Sequence, residues 1–174
     1  MKRAWQIGII LSVVFALIGN LVVGAQLPNL PTISEVSDTY ATLLTPAGYA
    51  FSIWSLIYVL LIVFAVYQVR DILTPDAKND LPQRAGPLFI LANVMNGVWP
   101  LVFVNEWLGV SVAVLLVLTG ALYGLLWKLA IAKADVPALV IACVWWPIMI
   151  YTGWVTIASV VNIASLLDGW GVTL

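Results

Sequence analysis

Histidine is absent from this chain and cysteine occurs once, at Cys143. Together these scarcities exclude disulfide frameworks, imidazole-based metal sites and any triad or dyad that needs a histidine. A lone thiol inside an apolar run reads as a packing residue. Charge is equally scarce, at 9% of 174 residues, where a soluble domain typically carries about 25%. Seven Lys and Arg stand against eight Asp and Glu, a net charge of −1, which leaves no basic surplus to grip nucleic acid. Apolar residues fill that space. They make up 63% of the chain, nine residues are tryptophan, and the mean hydropathy is +1.08. The composition excludes a water-soluble fold and predicts an integral, multi-pass membrane protein, expected in a bacterial-type cytoplasmic membrane.

The stretch 46–68 sets the frame. It runs uncharged from Pro46 to Gln68, long enough to cross a bilayer core of about 30 Å at about 1.5 Å per residue. Pro46 suits the first turn of such a helix, where a missing N–H costs nothing. Four further apolar segments have comparable length, and the expected helices are about 4–26, 46–68, 87–104, 108–131 and 137–166. The prediction is all-α, a single five-helix transmembrane domain over 1–174. Met1-Lys2-Arg3 and the apolar run after it could open a secretory signal closing on Val23-Gly24-Ala25. That run of about 20 residues exceeds the ~7–15 of a signal core, so it reads as a retained first helix. Residues 27–45, with Pro28, Pro31, Glu35 and Asp38, form a loop with a short helix expected around Val36–Leu43. A second loop, 69–86, carries Arg70, Asp71, Asp76, Lys78, Asp80 and Arg84, with Pro75 and Pro82 as breakers. Asn105-Glu106-Trp107 reads as a tight turn.

With the amino terminus in the cytoplasm, Lys2, Arg3, Arg70, Lys78, Arg84, Lys128 and Lys133 all fall on the cytoplasmic side. Glu35, Asp38, Glu106 and Asp168 then lie outside. The expected topology is amino end in, carboxyl end out.

Depth along each span follows from that topology at about 1.5 Å per residue. Trp54 and Tyr58, four apart, share one helical face. So do Asn96 and Trp99, and so do Trp154, Ala158 and Asn162. All of these, with Asn20, fall in the outward halves, while the inner halves offer little comparable: Ser12, Tyr67, Thr119 and Cys143. Amides are costly in lipid, and indole N–H and phenol O–H groups find no partner there. Their gathering predicts a shared hollow opening outward, with aromatic walls and no fixed charge, suited to a flat, largely apolar ligand. Helix-packing glue is the plainer reading of any one of these residues. Trp5, Trp107, Trp127 and Trp170 read as interfacial anchors. Gly48, Gly97, Gly153 and Ala158 would let helices approach or leave room for a ligand. The first loop lies over the same mouth, where it could serve as a lid.

Three stretches carry a resemblance. Thr45-Pro46-Ala47-Gly48 followed by Trp54-Ser55-Leu56-Ile57-Tyr58 resembles the PPGW…VWTLLY pattern of the tryptophan-rich sensory protein / translocator protein family. Asn96-Gly97-Val98-Trp99-Pro100 with Phe103 resembles its NxxWSxxFF, and Trp154-Val155-Thr156-Ile157-Ala158 with Asn162 resembles its WVSFAxxLN. The likeness spans almost the whole chain and marks a divergent member. Thr45 replaces the first proline, Gly48 replaces a tryptophan, and Ala50 stands where the family has phenylalanine, with Phe51 adjacent. The family's Pro-Tyr before the last tryptophan is missing, Pro147 lying upstream, and its sterol-recognition segment has no counterpart.

The resemblance implies a five-helix protein that binds porphyrins, sterol-like lipids or benzodiazepine-type drugs, with ligand contacts at Trp54, Asn96, Trp154 and Ala158. The full expected site is Trp54, Tyr58, Asn96, Trp99, Trp154, Ala158, Asn162, Pro46 and Phe51, the aromatics as walls and Asn96 and Tyr58 as hydrogen-bonding groups. No catalytic residue, metal or required cofactor is expected, and a tetrapyrrole would be a ligand. Expected partners are a hydrophobic small molecule, membrane lipid and, in an assembly, a second copy as a homodimer. Sensing, sequestering or carrying that ligand is the leading expectation. Photo-oxidative porphyrin degradation and a structural role beside another membrane subunit are the alternatives.

Overall fold

The computed structural model describes residues 2–25, 30–70, 79–132 and 135–172. Among them all regular structure is helical. Five helices are long and apolar enough to cross a membrane. They are α1 (Lys2–Gly24), α3 (Ile53–Gln68, led in by a 3-10 turn at Gly48–Ser52), α4 (Leu81–Val104), α5 (Leu108–Lys128) and α6 (Ala138–Gly169). A short α2 (Ile33–Thr39) lies between α1 and α3. The sequence expectations at Gln26, Pro28, Asp71, Pro75, Asp76, Lys78, Lys133 and Leu174 lie outside the described residues.

Local chemistry moves several boundaries. The short loop helix starts at Ile33 rather than Val36, because Thr32 and Glu35 form a reciprocal capping box. The Thr32 N–H donates to Glu35 Oε2 at 2.7 Å, and this bond, more than that from the Thr32 hydroxyl, holds the Glu35 carboxyl below its ordinary pKa. Pro46 is not in a first helical turn. It belongs to the irregular segment before the 3-10 turn, whose N-cap is Ala47. The fourth helix starts six residues before Pro87, at Leu81, because Pro82 occupies a first-turn position and so opens the helix instead of breaking it. Pro87 and Pro100 lie inside α4. The last span contains a π turn at Ile141–Trp145, just before Pro147. Proline has no N–H for the carbonyl four residues back and crowds it, and the wider turn accommodates that mismatch.

The spans close into a ring. α4 packs between α1 and α5, α6 between α5 and α3, and α3 returns to α1. The α1–α4 contact is the tightest, since a Cβ on Gly19 would sit 2.3 Å from the Gly97 carbonyl oxygen and one on Gly97 would strike the Phe15 ring at 2.7 Å. Ile9, Ile57, Leu61, Phe64, Phe89, Leu118, Leu122 and Ile148 fill the centre without exposure. Ile7, Leu11, Ile18 and Leu21 of α1 and Val59, Ile62 and Val66 of α3 face outward, as suits a surface solvated by lipid.

The two ends differ in charge. Lys2, Arg3, Arg70, Arg84 and Lys128 all lie at one end, where the Arg84 guanidinium donates to the Lys128 carbonyl at 3.1 Å. The opposite end carries α2 and Glu106, and is called the α2 end below. The half nearer the basic end is more polar than expected. Gln6, Gln68, Asn79 and Asn93 are buried there. Gln6 and Gln68 exchange side-chain to carbonyl bonds at 3.3 and 3.2 Å, and Asn93 donates to Ser12 Oγ at 3.4 Å and the Phe89 carbonyl at 2.9 Å. Gln68 and Asn79 sit at helix ends and no aromatic residue marks the face of Gln6, whereas Asn93 shares its face with Phe89, one turn earlier, which was the available signal.

Candidate ligand-binding site

At the α2 end the ring interior becomes aromatic. The 3-10 turn sets Phe51, then Trp54 and Tyr58, along one side of α3. α4 contributes Trp99 and Phe103, four apart, and α6 contributes Tyr151 and Trp154, three apart. Trp54 is the hub. It stacks on Tyr58 (centroids 5.7 Å apart) and Trp99 (6.2 Å) and meets the edges of Tyr151 (6.3 Å) and Trp154 (6.4 Å). Phe51 packs edge-on to Trp154 at 6.3 Å, and Trp99 stacks on Phe103 at 5.2 Å.

Polar atoms in this nest divide into two groups. Asn96 is fully engaged between helices, accepting from Asn20 Nδ2 at 2.9 Å and donating to the Tyr151 hydroxyl at 2.7 Å. Asn162 accepts from Ser111 Oγ at 2.7 Å, and Thr119 and Ser159 share a bond of 2.8 Å. The indole N–H groups of Trp54, Trp99 and Trp154 and the Tyr58 hydroxyl are buried and have no hydrogen-bond partner among the described residues. A buried donor without an acceptor typically costs about 1–3 kcal/mol, so four of them in one aromatic nest, two on residues lining its cavity and two behind them, is a concentrated cost.

Pro46, Phe51, Trp99, Trp154, Ala158 and Asn162 line a cavity under α2, together with Ile33, Ser37, Phe103, Ile157 and Val161. Of the expected site residues, Trp54 and Tyr58 lie behind this lining, and Asn96 sits deeper, tying α1 to α6. The cavity itself measures about 20 Å³, room for about one water. None of its lining residues is charged. Among the described residues no group of His, Cys, Asp or Glu could hold a metal. The arrangement can therefore stack and hydrogen-bond, and it does so without a fixed charge.

Several participants were not singled out from sequence. Tyr151 is completely buried and anchors Asn96; its place three residues before Trp154 was the available signal. Ile33 and Ser37 bring α2 over the cavity. The loop after α2 is held by Tyr40, whose hydroxyl donates to Glu106 Oε2 at 2.6 Å and whose ring lies against Gly169. Glu106 turns the chain between α4 and α5 with φ +59°. Gly97 does admit a neighbour, whereas Gly153 has nothing within 4 Å and Gly48 only the Ser34 hydroxyl, at 3.2 Å. Trp107, Trp127 and Trp170 are exposed, while Trp5 is half-buried against Gly86.

A family model described as TSPO-like protein matches residues 6–174. Comparisons with curated proteins and with solved structures give no match.

Proposed function

The chain belongs to the TSPO-like family, and from that premise we propose that it binds a flat, largely apolar ligand of the tetrapyrrole or sterol-like class in the aromatic nest at the α2 end. The observation that carries this reading is the set of four buried, unpartnered donors: Trp54, Trp99 and Trp154 Nε1 and Tyr58 Oη. Packing alone gives no reason to orphan four donors in one place, since phenylalanine would stack as well without the cost. A planar ligand that slides among the rings and offers acceptor atoms, such as carbonyl, carboxylate or ring nitrogen, would recover both stacking and hydrogen bonds. The gathering of Lys2, Arg3, Arg70, Arg84 and Lys128 at one end supports, by the positive-inside rule, a reading with that end in the cytoplasm and the mouth outside. The protein would thus receive its ligand from the outer side, as a sensor or carrier.

Titration of the purified protein with protoporphyrin, followed by tryptophan fluorescence, tests this. Saturable quenching is expected, with affinity falling roughly tenfold or more in Trp54→Ala and Trp154→Ala, in line with the loss of a central aromatic contact. Unchanged affinity in both variants would overturn the assignment.

A further inference from the structure

At the α2 end a second recess opens on the surface and shares no lining residue with the cavity of the aromatic nest. It measures about 290 Å³, close to the ~300 Å³ at which small-molecule sites begin. Three segments border it: Tyr40 from the chain after α2, Glu106, Leu108 and Gly109 from the turn into α5, and Leu166, Gly169 and Trp170 from the end of α6. The lining therefore combines two aromatic rings, one carboxylate and two leucines. Gly109 adds no side chain, and a Cβ there would meet nothing within 4 Å. Glu106 Oε2 accepts from the Tyr40 hydroxyl at 2.6 Å, and the carboxylate has no cationic partner among the described residues. Asp168, just before Gly169, and Glu35 and Asp38 of α2 add negative charge, while no described Lys or Arg lies at this end. The carboxyl end of α6 and the amino end of α5 both border the recess. Their dipoles oppose one another, so the Glu106 carboxylate sets the sign.

We propose that this recess binds a methylated ammonium group, held by the Trp170 and Tyr40 rings beside the Glu106 carboxylate. Such a group has no N–H to donate, so aromatic faces and an unpaired carboxylate are what recognise it, and its methyls suit Leu108 and Leu166. A hard metal ion would ask for about six or more oxygen ligands, whereas the side chains here supply one carboxylate and one hydroxyl. An anion would meet only like charge. An interfacial anchor would account for Trp170 alone, and leaves the unpaired carboxylate beside it without a reason. The ammonium could arrive free, as in choline, or within a lipid headgroup. A headgroup phosphate would find no basic side chain among the described residues at this end, which favours the free cation.

Ligand-observed NMR titration of the full chain in dodecyl maltoside tests the assignment, with choline, its uncharged analogue dimethylbutanol and glycerophosphocholine as probes. Choline should bind roughly fivefold or more tightly than the alcohol, since only the cation engages the rings and the carboxylate. Trp170→Leu, at a residue 70% exposed, should leave the thermal melt unchanged. It should weaken choline roughly two- to fivefold, as expected for an exposed cation–π contact, and Trp170→Phe should restore part of the loss. Glu106→Gln keeps an acceptor for Tyr40, and should weaken choline by roughly the same factor without affecting the alcohol. Choline binding above glycerophosphocholine supports the site with a free cation as its ligand, and the reverse order supports it with a lipid headgroup. Equal affinity for choline and the alcohol would overturn the proposal. So would a preference for choline that survives both Trp170→Leu and Glu106→Gln.

Discussion

Tyr58 and Tyr151 carry the same phenol and differ in company. The Tyr151 hydroxyl accepts from Asn96 at 2.7 Å and reaches the Ala92 carbonyl at 3.5 Å, whereas that of Tyr58 is buried with no partner among the described residues. Replacing each by phenylalanine should therefore give opposite results. Tyr151→Phe takes an acceptor from Asn96 and should destabilise the bundle by about 1 kcal/mol, read as a lower unfolding midpoint in detergent. Tyr58→Phe should leave that midpoint unchanged or raise it, and instead weaken porphyrin binding several-fold in a fluorescence titration. Equal midpoints for the two variants would remove the distinction on which the proposed role of Tyr58 rests. Sequence spacing foresaw which faces Trp54, Tyr58, Asn96 and Trp99 share, because helical periodicity fixes that. It did not foresee that Asn96 spends both ends of its amide on Asn20 and Tyr151. Which partner a polar side chain finds is decided by residues 76 and 55 positions away, and no local pattern encodes such a choice.

Glycines make the same point between elements. Gly97 and Gly153 look alike in sequence, each in the middle of an apolar span. Gly97 faces Phe15 and the backbone of Gly19, while a Cβ on Gly153 meets nothing within 4 Å. At Gly19 the obstacle to a side chain is the Gly97 backbone, which cannot rotate aside, so α1 and α4 would have to part. Gly19→Ala should cost about 1–3 kcal/mol, the usual range for overpacking, while Gly153→Ala should be neutral or slightly stabilising through helix propensity. Chemical denaturation of the two variants against wild type would check this, and a neutral Gly19→Ala would mean that the α1–α4 contact is looser than it stands here. Prolines carry a related lesson. Pro82 reads as a breaker from composition, yet it opens α4, because the same missing N–H that ends a helix is harmless in its first turn. Pro147 stays within α6 because the π turn before it absorbs the misfit. In both cases the residue type was informative and its position relative to the helix start was not yet known.

For the whole molecule, the number of spans and the sorting of charge were legible because a bilayer imposes them on composition and length. The state of the site was not. A cavity of about 20 Å³ is far below the ~300–1,000 Å³ of a typical ligand pocket, so the aromatic rings occupy the space that a tetrapyrrole would need. Under the proposed function, binding requires a less populated, opened form, and the association rate would report how often that form arises. α2 covers the cavity, and the tie between Tyr40 and Glu106 fastens the chain just after it to the turn between α4 and α5. This bond holds the Tyr40 phenol above its ordinary pKa of 10.0, with burial and the charges of Glu106 and Asp168 acting in the same direction. A pKa raised by folding means that the tie contributes fully below pH 10.0 and fades as pH rises through the higher folded value. Tyr40→Phe removes it at every pH. The bond is solvent-exposed and so worth about 0.5–1 kcal/mol. Stopped-flow quenching by porphyrin should therefore show association roughly two- to fivefold faster in Tyr40→Phe than in wild type at neutral pH. The two rates should converge as alkali ionises the wild-type phenol, since ionisation releases the same tie that the substitution deletes. Identical association rates at neutral pH would show that opening happens elsewhere, and would remove α2 from the path by which the ligand reaches Trp154.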